Sequence, residues 1–533
     1  MSEIFELSRF ARAERQERSV VLPFTPVETR ESVSSLVQRE NNRESLSTPL
    51  TLIKRLCEAL NAQQITYCHW KSNWKLKRWL AGDGDLDLLV DRADKQRFIS
   101  IVSGLGFKQT TPARERQVPG VLHFYGFDVE TTKLVHLDVQ FKLVIGHDLT
   151  TNYHLVAESV YLETCYRQGL MPTPAPEAEL IVFVLRAVLK HSATELLIRG
   201  ALGKHNAAAK REEVEFLESG IDPARLANIL TRLAPSIDLA FFERCLQSLR
   251  RGNSLLHRAL VRRQLTKRLA ASARRSRLLD SWLQVQRGST GFVRERLLRQ
   301  KAGKRFAEGG VLIAVIGGDG AGKTTVLTTL NKWLSNDFAT RRFHIGKPPR
   351  SLITLALIVM LRAIRLSKDG PAVSASEATQ NYEHDFPGYL RLLRWVSAGR
   401  DRRRLYIKAR RFATNGGIAL CDRFPTRQLQ LMDGPNIAQS VPPQRRNKFV
   451  KLLNRLELHY YRQILPPDLL IVLRVDPDIA VQRKTAEREE HVRPRSTELW
   501  KQDWQGTSAK VIDAGQSPED VLGEAQSIIW ASL

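Results

Sequence analysis

Three groups of residues in this 533-residue chain have types and spacings that could do chemistry. The first is GGDGAGKTT, residues 317–325, where Gly317, Gly322, Lys323 and Thr324 fit the pattern GxxxxGK[ST]. Glycines let consecutive backbone N–H groups curl round a chain of phosphates at the positive end of a following helix. Gly317, Gly318, Asp319, Gly320, Ala321, Gly322 and Thr325 then form the cradle. Lys323 reaches the β- and γ-phosphates, and Thr324 offers a hydroxyl to Mg²⁺. The second group is Asp422 and Arg423, which follow four apolar residues in GGIALCDRF. A carboxylate ending a buried strand beside such a loop suits Mg²⁺ or its bound water. The third is Asp85-Leu-Asp87 in GDGDLDLLV, with Asp138 in KLVHLDVQF. Residues i and i+2 of a strand share a face. Asp85 and Asp87 therefore point together, while Leu86, Leu88 and Val90 point to the core. Asp138 falls on the polar face of its own strand with His136 and Gln140. Paired carboxylates repel unless a cation or proton lies between them. A hard divalent ion is one solution, and a polar strand edge is the other reading.

Elements must hold these residues. VLIAVI before the phosphate loop reads as a strand, and TTVLTTLNKWL after it as a helix with Leu327, Leu330 and Leu334 on one face. GGIALCDR and DLLIVLRVD are further β-rich runs separated by helical stretches, a pattern that predicts a parallel sheet with crossover helices. Asp476 before Pro477, and Ser517 with Asp520, read as helix caps. In the first half, TPLTLIKRLCEALNAQ predicts a helix capped by Thr48 with Pro49 at its first position. DLDLLVD, HFYGFDVE and KLVHLDVQFKLV predict short strands. The expected organisation is multidomain: a disordered tail over 1–46, an α+β domain over 47–175, a basic all-helical region over 176–305, and an α/β phosphate-loop domain with a parallel sheet over 306–533.

Composition narrows the class. A hydrophobic content of 43% and a charged content of 26% are ordinary for globular protein. The five cysteines are scattered without metal-ligand spacing, which argues against a disulfide framework and a zinc site and fits a reducing, cytoplasmic setting. No apolar segment suited to secretion opens the chain. LITLALIVML, residues 352–361, is about half a membrane span, so the expectation is a core helix and no membrane anchor. Net charge is +26, and residues 241–310 hold 18 Lys and Arg against 4 Asp and Glu. That stretch suits a solvated helical face, with binding of nucleic acid or another polyanion as the less favoured reading.

The second half resembles the thymidylate kinase family of nucleoside monophosphate kinases over about 311–525. The resemblance rests on GGDGAGKTT, on DRF after the strand, on PPDLLIVLRVDPDIAVQRK and on KVIDAGQSPEDV. It implies ATP and Mg²⁺ as cofactors, and relatives of this half are often homodimers. It implies that Asp319 holds the acceptor's sugar hydroxyl and that Arg423 lies near the acceptor phosphate. Asp401 and Arg402, in SAGRDRRR, resemble the family's nucleotide-binding helix. RKTAEREEHVRPRS looks like the mobile lid, with Arg488, Arg493 and Arg495 as candidates for the catalytic arginine, since Ala321 stands where other relatives carry one. The chain departs from the family at FHIGKPPRS, residues 343–351, where thymidylate kinases carry an Arg/Glu-Pro-Gly-Gly-Thr segment that shapes the pyrimidine pocket. Lys347 and Arg350 there suit either an anionic acceptor or a solvated loop.

Residues 50–145 resemble the polymerase-beta type of nucleotidyltransferase fold, whose three strand acids hold two metal ions. The resemblance assigns Asp85, Asp87 and Asp138 to that site and Ser72, in HWKSNWKL, to seating a triphosphate. Lys71 stands where that family has glycine. The expected function is an ATP-dependent phosphotransferase acting on a nucleoside monophosphate or similar phosphorylated acceptor. One alternative is a bifunctional nucleotidyltransferase and kinase using a sugar phosphate, a pairing that resembles proteins of surface-polysaccharide synthesis. The other is a non-catalytic ATP-dependent switch that binds nucleic acid.

Overall fold

The computed structural model describes residues 48–167, 169–190, 212–250, 255–292, 303–368, 387–426, 429, 434–483 and 489–533. The tail expected over 1–46 and Arg488 lie outside them. The first sheet contains β1 (Tyr67–His69), β2 (Asp85–Val90), β3 (Lys108–Thr111), β4 (Val121–Asp128) and β5 (Lys133–Gln140), in the order β1-β2-β5-β4-β3. β2 and β5 are parallel and the other neighbours antiparallel. α1 (Thr51–Ala62) and α2 (Lys95–Gly104) share a core with Leu86, Leu88, Val90, Phe124 and Leu137 of this sheet. α1 begins later than Thr48 and Pro49 suggest. Leu50 is extended with its N–H on Leu80 O at 2.9 Å, and the Leu52 N–H is received at 2.9 Å by Asp128 Oδ2, from the end of β4. A distant carboxylate does the work expected of a local cap.

Two small ribbons follow, β6 (Leu143–Ile145) with β7 (Tyr153–Leu155) and β8 (Tyr166–Arg167) with β9 (Pro172–Thr173). Helices then dominate: α3 (Pro176–Leu189), α4 (Pro223–Leu233), α5 (Leu239–Leu249), α6 (Leu255–Arg268) and α7 (Arg277–Phe292). Their core takes in Leu143, Ile145, Tyr153 and Leu155, so the β6–β7 ribbon packs with the helices.

The second half is built on a five-stranded parallel sheet of β11 (Val311–Gly317), β12 (Thr340–His344), β13 (Ile418–Asp422), β14 (Leu469–Arg474) and β15 (Ala509–Asp513), ordered β12-β13-β11-β14-β15. Both faces are covered, which is why β11 and β14 read as continuous apolar runs. Ile313 and Val315 pack with Leu327, Leu330 and Leu334 of α8 (Lys323–Asp337) and with α14 (Pro518–Ser532). Leu312, Ala314 and Ile316 pack with α10 (Tyr389–Thr414). The expected caps form: Asp476 Oδ1 accepts from Asp478 N at 2.8 Å, and Ser517 Oγ accepts from Asp520 N at 3.2 Å.

LITLALIVML is not a core helix. It lies in α9 (Leu352–Lys368), where Leu352 is 84% exposed and Val359 63%, and Thr354 is the one buried residue among 352–360. Thr354 Oγ1 donates to Asp401 Oδ2 at 2.7 Å, so a polar anchor faces inward and the apolar side faces out.

The two sheets are tied together. β10 (Arg305–Phe306), at the end of the segment expected to be helical, pairs antiparallel with β3. Lys304 N donates to Asp337 O, and Ala339 N donates to Lys304 O, both at 2.8 Å. Around this seam Tyr125 and Phe127 of β4 join Phe306, Phe338 and Trp530 in the core of the parallel-sheet half. β4 thus feeds two cores from opposite faces, as the period of two requires.

Candidate active site

The phosphate loop sits at the carboxyl edge of β11, the central strand, where open parallel sheets bind ligands. Gly320 and Gly322 have φ of +84° and +76°. A Cβ on Gly320 would meet Ala480 O at 2.6 Å, so glycine is needed for both conformation and space. A Cβ on Gly318 would meet Ser496 Oγ at 2.7 Å. Ser496 belongs to α13 (Glu489–Lys501), which therefore rests directly on the loop. Lys323 is buried, and its Nζ donates to Gly317 O at 2.8 Å and Gly318 O at 2.6 Å. Thr324 is exposed in the first turn of α8. Asp422 ends β13, in register with Val315 of β11 and His344 of β12. Arg423 follows with φ +55°. That conformation is uncommon outside glycine and concentrates at functional sites.

Asp319 is the focus of the loop's charge. Its carboxylate, 9% exposed, lies 3.0 Å from Arg495 Nη1, 3.8 Å from Arg423 Nη2 and 3.9 Å from Lys323 Nζ. Burial pushes its acidity the other way, but the Arg495 hydrogen bond and the Lys323 and Arg423 charges outweigh it and hold Asp319 below the usual carboxylate range. Ser496 Oγ also donates to Asp319 O at 3.3 Å.

The two described lid arginines separate here. Arg493 is bound by Glu489 at 2.6 Å and Asp478 at 2.7 Å, on the exposed side of α13. Arg495 reaches the loop. Arg495→Ala should lower turnover by about 10²-fold or more if the loop transfers phosphate, because it removes the cation held on Asp319 within the loop. Arg493→Ala should change it less than about fivefold, as for an exposed ion pair. Steady-state rates of the two variants check this.

Asp401 and Arg402 are occupied structurally. Asp401 is buried and accepts from Ser351 N at 3.0 Å as well as from Thr354. Arg402 donates to Gly346 O at 3.0 Å and to Tyr461 OH. Together they fasten residues 346–354 to α10. Lys347 and Arg350 are exposed.

No protein-family model matches the chain. Over 226 residues it is 26% identical to the uncharacterized ATP-binding protein YghR of Escherichia coli K12, covering 41% of this chain and 86% of that protein. YghR of E. coli O6:H1 strain CFT073 matches to the same extent. Among solved structures, deoxyadenosine kinase from M. mycoides with bound dATP aligns with 40% of this chain and 97% of its own at 17% identity. Its TM-score is 0.24, a value that argues for neither fold nor substrate.

The acids of the first half do meet. β2–β5 register sets Asp87 opposite Asp138 and Asp85 opposite His136. Asp87 has its own cation, with Lys71 Nζ 2.7 Å from its Oδ1, and His136 Nδ1 lies 2.8 Å from Asp85 Oδ1. Asp138 Oδ1 is buried with no hydrogen-bond partner among the described residues. Burial, with the Asp87 charge added, raises its pKa against the pull of Lys71. Among the described residues no group of three or more His, Cys, Asp or Glu side chains is arranged to hold a metal ion. With Asp87 taken by Lys71 and Asp85 by His136, the side chains as they stand do not fit the pair of metal ions implied for this site, and no step is routed through it. Lys71, at the expected glycine position, supplies the positive charge. Replacing it should strand a partly buried carboxylate. Lys71→Met is expected to cost about 2 kcal/mol by urea unfolding, a buried-pair loss discounted for partial exposure, and adding Asp87→Asn should recover most of it.

The turn that carries Lys71 is held from the helical region. Ser72, at φ +56°, donates from Oγ to Glu213 at 2.9 Å, so its hydroxyl is committed there. Asn73 N and Nδ2 both donate to Glu179 of α3, each at 2.9 Å. Sequence reasoning missed these glutamates, which lie more than 100 residues away with no local signature. Burial outweighs the Asn73 bonds and pushes Glu179 up to about 7. A carboxyl whose folded value exceeds its unfolded value is stabilising when protonated. Stability should therefore fall as pH rises from about 4.5 to 7, by up to about 3 kcal/mol from this group. Urea midpoints across that window should show the slope, and Glu179→Gln should flatten it.

Proposed function

We propose that the second half is an ATP-dependent phosphotransferase that moves the γ-phosphate to a nucleoside monophosphate or a similar phosphorylated acceptor. One observation carries this reading: Lys323, Arg423 and Arg495, from three separate elements, converge on Asp319 within a GxxxxGK[ST] loop. The chain's similarity to YghR, an uncharacterized ATP-binding protein, supports it.

In this reading the loop amides and Lys323 hold the phosphate chain, and Asp319, kept ionised, positions Arg495. Arg495 and Arg423 neutralise charge on the transferring and acceptor phosphates. The helix α13 above Gly318 excludes water. Thr324 and Asp422 are the oxygen donors suited to Mg²⁺. When bound, the ion would draw charge from the β- and γ-phosphates. FHIGKPPRS in place of the family's pyrimidine-pocket segment argues for an acceptor other than thymidylate. The test is a phosphoryl-transfer screen with Mg·ATP over nucleoside monophosphates and sugar phosphates. Transfer to at least one is expected, and binding of ATP with no transfer to any would leave a switch in place of a kinase.

A further inference from the structure

The basic helices α6 and α7 expose apolar side chains that a merely solvated face would not need. On α7, Leu278 is 85% exposed, Trp282 58% and Val285 71%, at the i, i+4, i+7 spacing of one helical stripe. On α6, Leu256 and Leu260 repeat this at 72% and 57%, while Val261 and Leu265 on the opposite side are buried. The same residues carry an extreme charge balance. Residues 255–287 contain nine Lys and Arg against one acid. That acid, Asp280, is buried and accepts a 2.8 Å hydrogen bond from Gln284 Nε2. Arg263, Lys267 and Arg277 are exposed. Arg287 Nη1 donates to Leu149 O at 2.7 Å and Arg274 Nη1 to Thr151 O at 2.9 Å, which ties the segment to the connection between β6 and β7.

We propose that the exposed stripe of α7 docks peripherally on an anionic lipid membrane, with Leu278, Trp282 and Val285 entering the headgroup boundary and exposed cations of the segment such as Arg277 meeting lipid phosphates. Charge complementarity selects this occupant. A second copy of the chain would set the same positive surface against itself, because a two-fold contact uses one patch twice and like charges oppose it. Nucleic acid would satisfy the cations through its phosphates and could stack a base on Trp282, but Leu278 and Val285 on either side of it have nothing to pack on along a sugar–phosphate backbone. A membrane interface takes both: the apolar side chains enter the acyl boundary and the cations stay with the anionic headgroups. No described helix is long and apolar enough to cross a membrane, so the attachment is to the surface.

The experiment is sedimentation of the full-length protein with vesicles of phosphatidylcholine alone or with phosphatidylglycerol at one-third of the lipid, at low and high salt. Binding is expected only with phosphatidylglycerol, falling about tenfold or more between 0.05 M and 0.5 M NaCl as the charges are screened. L278Q/W282Q/V285Q should weaken it by about tenfold or more while leaving the melting temperature within a few degrees, since the three side chains are exposed. Equal binding to both vesicle types would overturn the proposal, as would full retention by the triple variant. So would wild-type protein that ignores vesicles but binds single-stranded RNA, or that forms dimers the triple variant abolishes. The phosphotransferase reading stands or falls separately, by turnover in the absence of lipid.

Discussion

Lys323→Ala should reduce ATP turnover by about 10²–10³-fold, the effect of deleting one preorganised charge from a phosphoryl-transfer site. Arg423 and Arg495 should not substitute for Lys323, because they meet the loop at Asp319 and not at the carbonyls of Gly317 and Gly318 that hold the Lys323 ammonium. Lys323→Arg should not rescue it. The planar guanidinium is larger than an ammonium and does not reproduce a compact point charge between two carbonyls at a buried position. Folding should be little affected, since two loop hydrogen bonds are worth about 1 kcal/mol each. Turnover and thermal melting on the same sample separate the two effects. Unchanged turnover would remove the phosphotransferase assignment.

The second large effect is structural. Phe338→Ala should destabilise the protein by about 3–5 kcal/mol, the usual cost of truncating a fully buried aromatic side chain. Phe338 is 1% exposed and touches rings from both halves: Tyr125 at 4.7 Å between centroids, Phe306 at 4.9 Å and Trp530 at 6.2 Å. The lost side chain would also loosen the polar seam beside it, where Tyr125 OH donates to Asp337 Oδ1 at 3.1 Å and Lys304 Nζ donates to Tyr125 OH at 2.6 Å. Asp337 ends α8, the helix that begins at Lys323. The acid-bearing sheet and the phosphate loop are thus joined through one helix. Wild type is expected to unfold both halves in one urea transition, and the variant at lower urea. Two separate transitions in wild type would show that the shared core does not couple them.

Much of the proposed phosphate site was legible because its residues are contiguous. A GxxxxGK[ST] loop works through the backbone of eight consecutive residues, so the residue types alone state the requirement. The flanking strand and helix announce themselves by their apolar periods. The same is true of the two alternating strands that bear Asp85, Asp87 and Asp138. It is true as well of the caps at Asp476 and Ser517, which act over two or three residues.

Other features depend on contacts between residues far apart in the chain. That Arg495 and not Arg493 reaches Asp319 follows from how α13 lies on Gly318, and both arginines look alike in the lid sequence. The cation beside Asp87 is a lysine of the chain itself, sixteen residues upstream. The cap of α1 comes from Asp128, which no local rule connects to Leu52. The apolar run in α9 faces outward because Thr354 is tied to Asp401 of α10. Trp530 Nε1 donates to Gly106 O at 3.4 Å across 424 residues, closing a core that the sequence divided between two domains. Local spacing fixes which groups a segment can present, because side-chain direction repeats with the helix or strand period. What those groups meet is set by packing, and packing is decided only when segments far apart in the chain compete for the same buried surface.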